Sequence, residues 1–164
     1  MHSLIEFGAN IGMNLQAIQT VIPSIKDISA IEINKKAASY LVDNGIVGKV
    51  YNESILDFEP DYRRDMVLIK GVLIHINPDE LRNVYAKLYE TTERYLCVAE
   101  YYNPSPVMIS YRGNENKLFK RDFAGEIMDI YEDLRLVDYG FAYHRDNNYP
   151  QDDITWFMMR KENK

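Results

Sequence analysis

Apolar residues along this chain recur with two spacings that alternate in order, short near-continuous runs and then a period of three to four. Ser3–Phe7 is a short apolar run that leads into glycines. Met13–Ile22 then places Leu15, Ile18 and Ile22 at helical spacing, and Pro23 stops it. Ile28–Ile33 predicts a second strand, and Lys35–Asp43 a helix that closes on Asn44 and Gly45. Val47–Tyr51 and Asp65–Lys70 predict two more strands, the latter almost wholly apolar as strands covered on both faces are. Asn77, Pro78, Asp79 and Glu80 form a helix start: a capping side chain, a proline at the first helical position and the acid of a capping box. Leu81, Val84, Tyr85 and Leu88 supply that helix's apolar stripe, and Tyr95–Glu100 predicts a fifth strand. A last helix is expected over Asp122–Tyr131 with Phe123, Ile127 and Ile130 facing inward. Leu134–His144 and Ile154–Arg160 read as two closing strands joined by a hairpin-like loop.

Strands that alternate with helices make a parallel sheet with right-handed crossovers. An antiparallel pair after five such strands is the arrangement of the Rossmann-like methyltransferases. The expected fold class is therefore α/β, a three-layer sandwich whose mostly parallel sheet ends in a C-terminal antiparallel pair. At 164 residues it forms one domain, residues 1–164.

Composition narrows the function. A hydrophobic fraction of 46% beside 27% charged residues is that of a folded soluble protein. No apolar run approaches the roughly 18 to 20 residues that span a bilayer, and Met1–Ser3 lacks the basic start of a signal peptide. Cys97 is the single cysteine, so no intrachain disulfide can form and a reducing cytoplasm is expected. Its place among apolar residues reads as a buried strand position. A net charge of −6 argues against sequence-independent nucleic-acid binding, which needs a basic face. The expected partner is a small molecule, with neither nucleic acid nor membrane.

The chemistry begins where the first strand meets its glycines. Strand, glycine turn and helix together let backbone approach a nucleotide-like ligand. A dinucleotide fingerprint needs glycine at three places that hold Gly8, Asn10 and Met13 here, and no Gly-Lys-Ser/Thr exists for a phosphate loop. An acidic-x-Gly-x-x-x-Gly pattern does fit, through Glu6, Gly8 and Gly12. Glu32 closes the second strand, where a carboxylate can accept from both hydroxyls of a ribose. Past the third strand, Asn52–Asp57 sets polar groups beside apolar ones, as an adenine requires. The set reads as a site for S-adenosylmethionine, with Glu6, Gly8, Asn10, Gly12, Asn14, Glu32, Ile33, Ser54, Ile55 and Lys70 as its candidate residues.

Several segments beyond the loop resemble the pseudaminic acid biosynthesis-associated methylases. They are Glu6–Asn14, Lys70–Leu81, Ala99–Val107, Tyr111–Gly113, Lys117–Glu126 and Gln151–Phe157. The similarity runs over essentially the whole chain, and it implies a bacterial methyltransferase associated with surface sugars. Members of that family carry a further N-terminal segment able to fold over the cofactor, and the expectation is that this segment is missing here.

In such a fold the acceptor approaches the carboxyl ends of the fourth and fifth strands, where Lys70, His75, Glu100, Tyr101 and Tyr102 stand. An oxygen acceptor needs a general base, and His75 and Glu100 are the candidates, against plainer roles as a packed turn histidine and a binding carboxylate. Arg112, Lys117, Lys120 and Arg121 cluster with Tyr111 and Phe119 as a solvated loop or as a lid for an anionic acceptor. Tyr101, Tyr102, Tyr111, Arg112, Lys120 and Arg121 are thus the substrate-binding candidates. Thirteen tyrosines suit a pocket with aromatic walls, as a sugar would use. His144, Asp152 and Asp153 are too loose a set for a metal, and none is expected. The leading expectation is a methyltransferase for a sugar or sugar-like metabolite. The alternative is a non-catalytic module that keeps the fold and binds without turnover.

Overall fold

The structure is a computed structural model; it describes the backbone of residues 1–111 and 114–162, and the side chains of these except residues 110–117. Five parallel strands carry the apolar runs: β1 (Ser3–Phe7), β2 (Asp27–Ile31), β3 (Lys49–Tyr51), β4 (Arg64–Lys70) and β5 (Thr92–Glu100). Two later strands, β8 (Leu134–Ala142) and β9 (Ile154–Lys161), join antiparallel, and the sheet order is β3-β2-β1-β4-β5-β9-β8. The chain thus starts mid-sheet, winds outward to β3, returns to β4 beside β1, and finishes at the far edge. This is the Rossmann-like methyltransferase arrangement that the alternation of elements predicts.

Side-chain alternation along each strand splits the core into two. Leu4, Met66, Leu68 and Cys97 point to one face, where Leu15 of α1 (Met13–Val21) and Leu41 of α2 (Lys35–Asp43) cover them. Ile5, Phe7, Val67, Ile69, Leu96 and Val98 point to the other, beneath Leu88 of α3 (Leu81–Thr91) and Phe123 and Ile127 of α4 (Phe123–Ile130). Near-continuous apolar runs therefore make strands buried on both faces, and three layers result. Cys97 is buried as its setting suggested, and desolvation pushes its thiol up to about 12.

The structure departs from the sequence pattern in three places. Tyr111 and Lys117–Lys120, expected in a solvated loop or a lid, belong to an antiparallel pair, β6 (Val107–Tyr111) and β7 (Asn114–Lys120), apart from the main sheet. Asn77 caps as expected, accepting from the Asp79 N–H at 3.2 Å, but it opens a single 3-10 turn over Pro78–Glu80 before α3 begins. Ile130, expected inward, is 39% exposed because α4 ends there and the chain turns away to β8. Among the described residues, no helix is long and apolar enough to cross a membrane.

Candidate functional site

The carboxyl ends of β1, β2, β4 and β5 meet at one end of the sheet, and most of the candidate residues gather there. After Phe7 the chain turns through Gly8 at φ +78°, Asn10 at φ +50° and Gly12 at φ +77° before α1 begins. Such angles strain any residue with a Cβ, and Asn is among the few that tolerate them. At Gly8 there is a second reason for glycine: a Cβ would lie 2.6 Å from Cγ2 of Val72. The loop is fixed by Gly8 and Ala9 donating to Ile31 O at 2.9 and 3.1 Å.

Two carboxyls flank this loop. Glu32, directly after β2, accepts from Asn10 N through Oε2 and from Asn34 N through Oε1, both at 2.7 Å. Ionised carboxylate oxygens have lone pairs to spare, so each retains acceptor capacity. Asn52 donates to the carbonyls of Glu32 and Ile33, at 2.7 and 3.3 Å, which pins this strand end. Ile33 beside it is 71% exposed, an apolar surface at the rim.

Glu6 lies deeper, 1% exposed. Its Oε1 accepts from Asn14 Nδ2 at 2.7 Å, while Oε2 is buried without a partner. Burial pushes the carboxyl up to about 7, against the opposing pull of Asn14 and the Lys70 charge. Lys70 Nζ in turn donates to Asn14 Oδ1 at 3.2 Å and to Gln151 Oε1 at 3.5 Å. Glu6, Asn14, Lys70 and Gln151 thus form one polar line from the core to the surface.

This line opens into a cleft of about 760 Å³. Its walls include Gly8, Asn10 and Asn14 from the glycine loop and α1, Lys70, Val72, Ile74 and His75 from the end of β4 and the turn after it, and Tyr101, Leu118, Gln151, Asp152 and Ile154 from later segments. The exposed His75 closes the 3-10 turn Leu73–His75, which follows Gly71 at φ +65°. Lys120 Nζ stands 5.0 Å from the Tyr101 ring centre, within cation–π range.

Other candidates stand elsewhere. Gly12 packs under α2, where a Cβ would lie 2.6 Å from Leu41 Cδ2. Ser54 Oγ accepts from Leu56 N at 3.1 Å, and Ile55 is buried in the core beside it. Glu100, expected at the acceptor, is 3% exposed and outside the cleft wall. Its Oε1 accepts from the N–H groups of Val72 and Leu73, both at 2.8 Å, and Oε2 has no partner. Burial pushes this carboxyl up to about 7, against the pull of the Val72, Leu73 and Ile74 N–H groups. Tyr102 stacks obliquely on Phe157, 5.7 Å between centroids. Arg121 pairs with Glu126 at 2.6 Å and lines a separate cavity of about 490 Å³ between α3 and α4, away from the cleft. Arg112 and the side chains of Tyr111 and Lys117 lie outside the described residues. His144, considered for a metal, holds Asp153 through Nδ1 at 2.8 Å.

Sequence reasoning did not single out Val72, Ile74, Leu118 or Gln151 as cleft residues. Gln151 reaches Lys70 across 81 positions of chain, and no local pattern announces such a contact.

Neither protein-family models nor curated proteins match the chain. Solved structures do. The 1,6-didemethyltoxoflavin-N1-methyltransferase of Burkholderia thailandensis, with its substrate and S-adenosylhomocysteine bound, superposes with a TM-score of 0.73 at 11% identity, over 99% of this chain and 72% of that one. The N-methyltransferase NodS of Bradyrhizobium japonicum in complex with S-adenosylhomocysteine gives 0.72 at 14% identity, over 99% and 79%. An O-methyltransferase from a trans-AT PKS multienzyme of Brevibacillus brevis, also with S-adenosylhomocysteine, gives 0.72 at 12%, over 98% and 67%. At such identities the likeness establishes the fold: the Rossmann-like one these methyltransferases share.

Proposed function

We propose that the chain is an S-adenosylmethionine-dependent methyltransferase acting on a small molecule, a sugar or sugar-like metabolite as the family resemblance implies. The observation that carries this reading is the pair of carboxyls flanking the glycine loop. A dinucleotide could use Glu32 in the same way, on a ribose, but it would bring its pyrophosphate to the loop above the acidic Glu6. S-adenosylmethionine brings a sulfonium, an ammonium and a vicinal diol. Glu6 lies just behind the cleft and acts on cationic character through Asn14, and Lys70 on the wall suits a carboxylate. Glu32 offers lone pairs to hydroxyls, and Ile33 an apolar face to a base. The residues present therefore fit the group, and the solved neighbours that hold its product in the same fold support the assignment.

When bound, S-adenosylmethionine supplies a methyl group activated on sulfur. The chain then has to orient an acceptor and, for a hydroxyl, take its proton. In this reading His75 is the base, since it is exposed on the cleft wall. Tyr101 and Lys120 hold the acceptor, since an aromatic face and a cation suit a polyhydroxylated or acidic ring.

Calorimetric titration with S-adenosylhomocysteine and S-adenosylmethionine tests the reading. Saturable one-to-one binding is expected for both, and absence of binding to either one or the other overturns it.

A further inference from the structure

Glu100 is a buried acid for which the proposed methyl transfer has no use, and it touches the turn that forms one wall of the cleft. Its Oε1 accepts two consecutive N–H groups, from Val72 and Leu73. Those donors open the 3-10 turn that ends in His75, and no preceding helix supplies them with carbonyls. The turn follows Gly71 at φ +65°, whose N–H is the last tie of this strand end to β5, on Ala99 O at 3.0 Å. Val72 lies where a Cβ on Gly8 would collide with it, so the turn and the glycine loop are in register. We propose that Glu100 is a positioning residue: from the end of β5 it anchors the turn after β4, and so sets where Val72, Ile74 and His75 stand in the cleft.

The inference rests on the methyltransferase reading for its purpose, but the geometry stands alone. A base must reach the acceptor, whereas Glu100 is 3% exposed and its bonded oxygen faces backbone. What this role requires is reach and an acceptor atom; it does not require charge. Glutamine keeps both, and its NH2 replaces an oxygen that already lacks a partner. Aspartate keeps the charge and is about 1.5 Å shorter.

Two variants therefore separate the roles, Glu100→Gln and Glu100→Asp. Hydrogen exchange at the Val72 and Leu73 amides is the first readout, and affinity for S-adenosylhomocysteine the second. The Gln variant is expected to hold both within about threefold of wild type. The Asp variant should speed exchange at both amides by at least about tenfold and weaken S-adenosylhomocysteine by roughly three- to tenfold. Unchanged amide protection in the Asp variant overturns the proposal. So does a Gln variant, folded by circular dichroism, whose amides exchange as fast as those of the Asp variant, because charge would then be what matters. If wild type binds no S-adenosylhomocysteine, the methyltransferase reading fails by itself, and the amide pattern still decides the anchoring role of Glu100.

Discussion

Two of the buried polar regions among the described residues have electrostatics that run in opposite directions. At the start of β4, Arg64 is completely buried, yet its two Nη atoms donate to Asp61, to Tyr62 O and to the Tyr51 hydroxyl at 2.6 to 2.7 Å. Lys49 adds a second cation to Asp61 at 2.7 Å. Burial alone would raise the Asp61 carboxyl, but hydrogen bonds from Lys49, Tyr51 and Arg64 hold it well below the usual carboxylate range. At the carboxyl ends of β1 and β5, Glu6 and Glu100 have amide donors, no cation in contact, and an unpartnered oxygen each. Both are pushed up to about 7. One region spends its polar groups on each other, save the Arg64 Nε, and sets opposite charges in contact. The other has no opposite charge in contact and keeps acceptor capacity unspent just behind the cleft.

The comparison can be broken. Arg64→Met should cost about 3 kcal/mol in denaturant unfolding, since three hydrogen bonds from a buried charged donor are lost, while the folded variant keeps its affinity for S-adenosylhomocysteine. A collapse of binding in a folded Arg64 variant would show that the two regions are not separate. Glu32→Ala should act more on binding, weakening S-adenosylhomocysteine by about 1 to 3 kcal/mol in calorimetry and costing less stability than Arg64→Met, about 1 kcal/mol for the two N–H groups it frees. Unchanged affinity would remove Glu32 from the site.

The third prediction concerns pH. Folded Glu6 and Glu100 hold protons up to about 7, whereas the unfolded chain releases them near 4.5. The folded state thus binds more protons in that window, and stability falls as pH rises from 4.5 to about 7. The slope is at most about 1.4 kcal/mol per pH unit for each group, and Glu6→Gln should reduce it. Asp61 works the other way, losing its contribution only as pH falls below the ordinary carboxylate range. A flat stability profile across the window would sink the contrast. The smallest effect is expected for Arg121→Ala: 0 to about 1 kcal/mol of stability, as for a partly exposed ion pair, and no change in S-adenosylhomocysteine affinity.

The sequence pattern carried the main sheet because strands buried on both faces are written as apolar runs, as Met66–Ile69 is. It also placed the glycine loop and Glu32, whose positions depend on local turns. It missed the β6–β7 hairpin, since Asn114–Lys117 shows no apolar alternation and the pair stands apart from the main sheet. The inward role of Glu100 was not legible either: a carboxylate at a strand end looks the same in sequence whether it meets a ligand or a neighbouring backbone. Arg121 failed for the same reason, its partner Glu126 lying one turn into α4.

The contact between Gly8 and Val72 has a consequence for how this chain can diverge. A methyl at position 8 would meet the branch of residue 72, so the two positions are expected to change together. Drift at position 8 is open only to a lineage in which residue 72 has first lost its Cγ2, and even then the left-handed turn penalises the newcomer. Across distant homologues, glycine at 8 should outlast valine at 72, and any exception at 8 should arrive with a small residue at 72.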